Sequence, residues 1–250
     1  MPSDQSPAPL SSMSDLVNDR PRSLSVSCAT DRGVYEGYWR ALSCYELSHQ
    51  DLAAKAKRLR IWREQAPEDA TFIARIDPRV ISEMHSDDRG ISSIAEAEIA
   101  KALTRVEALS SSILMLHTPS SLRPSASHES AIIRLRERLP IDLPLVWRAD
   151  GLWAESESFY DLCADQQITP VIDPLMWDED EPLPSGALAY WKIMGGQGLS
   201  VRLGEYDLDK LADLADHWLM SRSESERAHL WVNFTSPKMV PVARRWRELF

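Results

Sequence analysis

The sequence predicts an α/β chain, a TIM-type (β/α)8 barrel forming a single domain behind a disordered N-terminal tail. Three observations carry that expectation. Short apolar runs recur and stop at polar residues, the clearest being Ser112-Ile-Leu-Met-Leu-His-Thr-Pro119. Such runs suit strands covered on both faces, and polar groups at their C-terminal ends suit the rim of a barrel. Between the runs lie segments with apolar residues at helical spacing. The length of 250 residues fits one barrel, and no GxGxxG follows the first run, which weakens the rival open dinucleotide-binding sheet.

In chain order, residues 1–21 are rich in Ser, Pro and Asp and too poor in apolar groups to offset the entropy of ordering. Residues 22–250 form the barrel. Ser23–Cys28 alternates as a first strand, and an aromatic segment with Tyr35, Tyr38 and Trp39 leads to a short second strand, Ser43–Leu47. A basic amphipathic helix is expected over Gln50–Gln65, with Leu52, Ala56, Leu59 and Trp62 on one face. Thr71–Ile76 is a strand halted by Asp77-Pro78, then a polar loop through Asp87–Gly90 reaches a helix from Ile94 to Leu109. Strand Ser112–His117, helix Ser127–Arg138, strand Leu143–Arg148, helix Glu155–Asp165 and strand Thr169–Asp173 follow. The acidic, proline-rich loop Asp178–Pro184 leads to strand Ala187–Met194, helix Leu208–Met220, strand His229–Phe234 and a closing helix, Met239–Leu249.

Composition narrows the function. The formal net charge of −10 argues against a nucleic-acid or anionic-membrane partner, and no apolar run approaches the length of a membrane span. The basic run Lys55–Arg60 reads as a solvated helix face. Cys28, Cys44 and Cys163 lack CxxC spacing, and the first twenty residues have no secretory pattern. A reducing, cytoplasmic setting is expected. There is no HxH, HExxH or GxSxG motif, so neither a metal, a cofactor nor a serine nucleophile is expected. Asp178–Glu181 reads as a solvated acidic loop and Met194–Gly198 as a flexible turn.

Several strand ends together resemble the DUF72 (YecE-like) family. Its Val-Glu-Ile-Asn motif is similar to Tyr45-Glu46-Leu47-Ser48, its Phe-Ala-Val-Lys strand to Phe72–Arg75, and its Gln-Leu-Pro-Pro-Ser to His117–Ser121. Its Trp-Glu-Pro-Arg-Gly-x-Trp resembles Trp147–Trp153, its Asp-Pro matches Asp173-Pro174, and its Arg-Leu-His-Gly looks like Lys192–Gly195. Its Phe-Asn-Asn is similar to Phe234-Thr-Ser236. The resemblance implies a TIM-type barrel over nearly the whole chain and implies no particular activity. The departures matter: the family's Glu and Arg at the fifth strand stand here as Arg148 and Asp150, signs interchanged. Asn becomes Ser48, Gln becomes His117, Lys becomes Arg75, and His becomes Met194. An arginine cannot replace a lysine in proton transfer, because it does not deprotonate in proteins.

Within such a barrel, Glu46, Arg75, His117, Arg148, Asp150, Asp173 and Lys192 all fall at or near strand ends, where barrel chemistry converges. In one reading Glu46, His117 and Asp173 are the catalytic acid–base groups, acting on a small anionic or polyhydroxy ligand as a hydrolase or lyase. Arg75, Arg148, Asp150, Lys192 and the loop aromatic Trp153 would bind that ligand, with Trp177 as a further aromatic wall. In the other reading the same charges form a closed network, with Arg75–Glu46 and Arg148–Asp173 pairs, in a barrel that has lost catalysis and serves as a binding or interaction protein. The interchanged pair tips the balance towards the second. The sequence names no protein partner. Trp191 and Trp231 are expected in the core.

Overall fold

The computed structural model of the chain describes residues 22–30, 33–84, 91–178, 181–184, 186–195, 203–222 and 228–250. The expected tail over 1–21, the loop over 87–90, the middle of the acidic loop and the glycines at 196 and 198 lie outside them. Among the described residues eight strands run parallel: β1 (Arg22–Cys28), β2 (Cys44–Glu46), β3 (Thr71–Ile76), β4 (Ile113–Thr118), β5 (Leu145–Ala149), β6 (Thr169–Ile172), β7 (Leu188–Ile193) and β8 (Ala228–Phe234). They pair in the order β1-β8-β7-β6-β5-β4-β3-β2. Ser43 brings the two ends of that order together: its N–H donates to the Val26 carbonyl at 3.1 Å and its hydroxyl accepts from the Val26 N–H at 3.1 Å. The result is the expected TIM-type (β/α)8 barrel.

Among the described residues eight helices accompany the strands: α1 (Glu36–Ala41), α2 (Ala56–Gln65), α3 (Arg79–Glu83), α4 (Ser93–Leu109), α5 (Ala126–Arg138), α6 (Glu157–Asp165), α7 (Glu205–Met220) and α8 (Val240–Arg247). The two-residue period of a strand divides its side chains between axis and helices. On β4, Leu114 and Leu116 pack outwards with α4 and α5 residues such as Ala102, Val106 and Ile132, while Ile113 and Met115 face inwards. Cys44, Ile73, Val146, Tyr190 and Trp231 join them to fill the barrel, so its centre is packed core and not a pore. Ser92 and Ser125 cap α4 and α5, accepting from the N–H groups of Ala95 and His128 at 3.1 and 3.2 Å. The three cysteines are buried and free. Among the described residues no helix is long and apolar enough to cross a membrane.

Two expected elements differ. The helix over Gln50–Gln65 is a 3-10 turn, Gln50–Ala53, followed by α2, with Ala54 and Lys55 extended between them. Asp51 fixes the turn by accepting from Tyr45, from the Ser48 N–H and from the Ser48 hydroxyl at 2.7–2.9 Å, contacts that a helical period does not encode. The loop after Asp77-Pro78 begins with the unexpected short helix α3. Asp77 starts it by accepting the Arg79 N–H at 2.9 Å.

The N-terminal end of the barrel holds a polar cluster of its own. His229 on β8 stacks on Trp231 at 3.7 Å between ring centroids, with Ser23 on Nδ1 at 2.6 Å and Ser25 on Nε2 at 2.9 Å. Burial pushes its pKa down to about 3, so the ring is neutral.

Candidate functional site at the barrel mouth

Parallel strands deliver their C-terminal residues to one end, and the inward period selects which side chains meet there. From β2, β3, β4, β5 and β7 these are Glu46, Arg75, His117, Arg148 and Lys192. Glu46 and Lys192 come from strands that are not neighbours, so their contact crosses the mouth. Lys192 Nζ lies 2.7 and 3.0 Å from the two Glu46 carboxylate oxygens. Tyr190, two residues earlier on the same inward face, donates its hydroxyl to Oε2 at 2.5 Å. Arg75 stands 4.0 Å from Oε1. Burial alone would raise the Glu46 pKa, but Lys192, Arg75 and the hydrogen bonds from Lys192 and Tyr190 hold it at about 2. Burial lowers the Lys192 pKa, an effect that Glu46 only partly offsets.

A second chain of contacts continues from Arg75. Its Nη2 lies 2.5 Å from His117 Nδ1, His117 Nε2 lies 2.7 Å from Asp150 Oδ2, and Asp150 Oδ1 accepts from Arg148 Nε at 3.1 Å. A guanidinium can only donate, so Nδ1 must be the acceptor and Nε2 carries the proton given to Asp150. His117 is therefore a neutral imidazole with both nitrogens engaged. Burial lowers its pKa, and Arg148 and Arg75 add to that while the Asp150 hydrogen bond opposes it. Burial would raise the Asp150 pKa, but His117 and Arg148 hold it below the usual carboxylate range. The turn that aims Asp150 depends on Gly151, whose φ is +67° and whose Cα faces Ser120 so closely that a Cβ there would lie 2.8 Å from the Ser120 Cβ.

The expected site residues thus divide. Glu46, Arg75, His117, Arg148, Asp150 and Lys192 form one continuous network, and the expected Arg75–Glu46 pair is present. The expected Arg148–Asp173 pair is replaced by Arg148–Asp150, because the turn after β5 returns a carboxylate two residues from the arginine. Asp173 stands apart from the network. Its oxygens accept the Leu175 N–H at 3.1 Å and the Met194 N–H at 2.8 Å, which fastens the β6 loop to the end of β7. Burial raises its pKa, partly offset by those two bonds. Trp153 does not line the mouth as expected. It is fully buried behind β5, 5.1 Å from Trp147 between ring centroids and within one cluster with Phe159, because the 3-10 turn Gly151–Trp153 folds the ring back under α6. Trp177 packs on Tyr160 and donates to the Glu181 carbonyl at 3.2 Å. Trp191 and Trp231 are core residues, as expected.

Tyr190 was not singled out from the sequence, although its place two residues before Lys192 on an inward-facing strand is the signal that finds it. Among the described residues no three His, Cys, Asp or Glu side chains gather as metal ligands. Within the network three cations (Arg75, Arg148, Lys192) meet two carboxylates (Glu46, Asp150), while Asp173 is tied to the main-chain N–H groups beside it. All three expected acid–base groups are engaged: Glu46 with cations, His117 with a cation and a carboxylate, and Asp173 with the N–H groups of Leu175 and Met194.

No protein-family model and no curated protein matches the sequence. Solved structures do match. A DUF72 family protein from Enterococcus faecalis superposes with a TM-score of 0.66 at 12% identity, covering 91% of this chain and 96% of its own. A second crystal structure of that protein gives 0.61 at 15% identity, covering 91% and 94%. A DUF72 family protein from Thermotoga maritima gives 0.64 at 14% identity, covering 90% and 98%. The chain shares the fold of these DUF72 structures from end to end of the barrel, as the sequence resemblance implied.

Proposed function

We propose that this chain is a divergent DUF72-like barrel that acts as a binding or interaction protein, its mouth charges serving structure in place of catalysis. The observation that carries this reading is His117, fixed between Arg75 and Asp150 as a neutral, doubly engaged ring. A general base needs a free lone pair and a pKa near the working pH. His117 offers its lone pair to Arg75, and Glu46, held at about 2, is too weak a base at neutral pH. Paired in this way, the strand-end charges hold β2, β3, β4, β5 and β7 together across the barrel axis.

The second reading, a hydrolase or lyase acting on an anionic or polyhydroxy ligand, is favoured by one feature. Arg148, His117 and Asp150 keep 21%, 24% and 34% of their side-chain surface, so a ligand could reach them. The two readings part in a turnover screen of chromogenic glycosides, phosphate monoesters and carboxylic esters, run with the wild type and with His117→Gln. Wild-type rates no higher than those of His117→Gln are expected. Turnover that His117→Gln abolishes would overturn the proposal.

A further inference from the structure

Beside the mouth, outside the barrel wall, lies a cleft of about 700 Å³ between the 3-10 turn Gln50–Ala53 with the start of α2 and the facing side of α4. Lys55, Arg79, Lys101 and Arg105 line it, with only Asp77 and Glu98 as carboxylates. Its formal charge is therefore +2, His49 counted neutral, on a chain whose net charge is −10.

Both carboxylates are already taken. Asp77 accepts from Arg79 Nε at 3.1 Å, and Glu98 holds Lys101 Nζ at 2.9 Å and Arg79 Nη2 at 3.6 Å. Arg105 has no such partner. It is 6% exposed, and its guanidinium donates to the carbonyls of Leu52 at 2.9 Å and Arg75 at 3.3 Å, with no carboxylate at ion-pair distance among the described residues. Its hydrogen bonds go only to neutral carbonyls, and the longer-range attraction of Glu98 and Asp77 offsets only part of the cost of burying it. The first turn of α2 adds to the imbalance. It opens on the same cleft through Lys55 and Ala56, contains no acidic residue, and has no side-chain cap. Its outer N–H groups and the positive end of its dipole are left for something else to satisfy. The floor is apolar, formed by Leu52, Ala54 and Ala56 over the buried Leu59.

We infer that this cleft is a binding site for a small organic phosphate monoester. The phosphate would sit between Arg105, Lys101, Lys55 and the start of α2, with the apolar part of the molecule on the Leu52 and Ala54 floor. A monoester near neutral pH carries close to two negative charges and three acceptor oxygens, which matches the +2 excess and the forked donors. This site is separate from the mouth and does not depend on whether the mouth is catalytic.

Isothermal titration calorimetry of the full chain at low salt tests it, with phenyl phosphate as the probe. Arg105 also holds main-chain carbonyls, so its removal could disturb folding. The exposed residues are the safer variants, Lys55→Glu and Lys101→Glu. Saturable binding of phenyl phosphate is expected, weakened about tenfold or more by each reversal. Inorganic phosphate and benzoate are both expected to bind more weakly. The inference is overturned if phenyl phosphate gives no saturable heat, or if either reversal leaves its affinity unchanged. It is also overturned if inorganic phosphate or benzoate binds as tightly as phenyl phosphate, since the apolar floor or the second charge would then contribute nothing.

Discussion

Replacing Glu46 by Gln removes the negative centre of the mouth while keeping its shape, and the structure fixes how much that should cost. The carboxyl is buried and holds a pKa of about 2 against 4.5 in an unfolded chain. At about 1.4 kcal/mol per pKa unit, that difference stabilises the fold by about 3 kcal/mol at pH 7. A second route gives a similar figure: removing one partner from a buried ion pair costs about 3–5 kcal/mol, because the other charge remains uncompensated. Here that charge is Lys192, whose side chain is only 8% exposed. The pH dependence has a definite sign. A depressed carboxylate pKa stabilises above pH 4.5, and its contribution disappears as pH falls towards 2. Urea unfolding at pH 7 should therefore show Glu46→Gln less stable by about 3 kcal/mol, with the gap narrowing below pH 4.5. Adding Lys192→Met should recover part of the loss, because the stranded cation is removed with it. A loss under about 1 kcal/mol at pH 7 would refute the reasoning, since an exposed, screened pair behaves in that way.

Three further perturbations follow from other parts of the fold. His229 has a folded pKa of about 3 and an ordinary value of 6.5, so the unfolded chain binds the extra proton and stability is lost as pH falls below 6.5. Between pH 7 and pH 5 the wild type should lose about 2 kcal/mol more than His229→Asn, as measured by paired urea titrations. Gly151→Ala should destabilise by about 1–2 kcal/mol for the positive φ alone, and by more for the contact with Ser120, lowering the midpoint of thermal unfolding. Trp153→Ala should cost about 3–5 kcal/mol in urea unfolding, as expected for a packed indole and unlike a ring lining an open mouth.

Much of the barrel is legible in the sequence because its strands are buried on both faces. β3, β4 and β8 stand out as apolar runs for that reason, and the polar residues that end them sit at the rim. The elements that escaped are set by contacts between distant positions. The break before α2 depends on Asp51 gathering Tyr45 and Ser48, and on Leu52 offering its carbonyl to Arg105 from α4. Neither contact leaves a mark in a helical period. The site was legible as a set of residues and less so as a set of pairs. Arg148 was matched with Asp173 on the neighbouring strand, whereas a turn through the positive φ of Gly151 brings Asp150 round to it. Trp153, a loop aromatic by its spacing, turned inwards because Trp147 and Phe159 provide an apolar surface that solvent does not. The interchanged signs at Arg148 and Asp150 were informative at the sequence level, and the network built around them uses that exchange to engage the second nitrogen of His117.

The titration and tautomer of His117, followed by ¹⁵N-edited NMR of the imidazole with His117→Gln as the assignment control, test the central claim most directly. A ring locked between Arg75 and Asp150 should remain neutral, protonated on Nε2, with its midpoint below the ordinary 6.5. A midpoint at or above 6.5, or a proton on Nδ1, would mean that Arg75 does not hold the ring and that the mouth keeps a base free for chemistry.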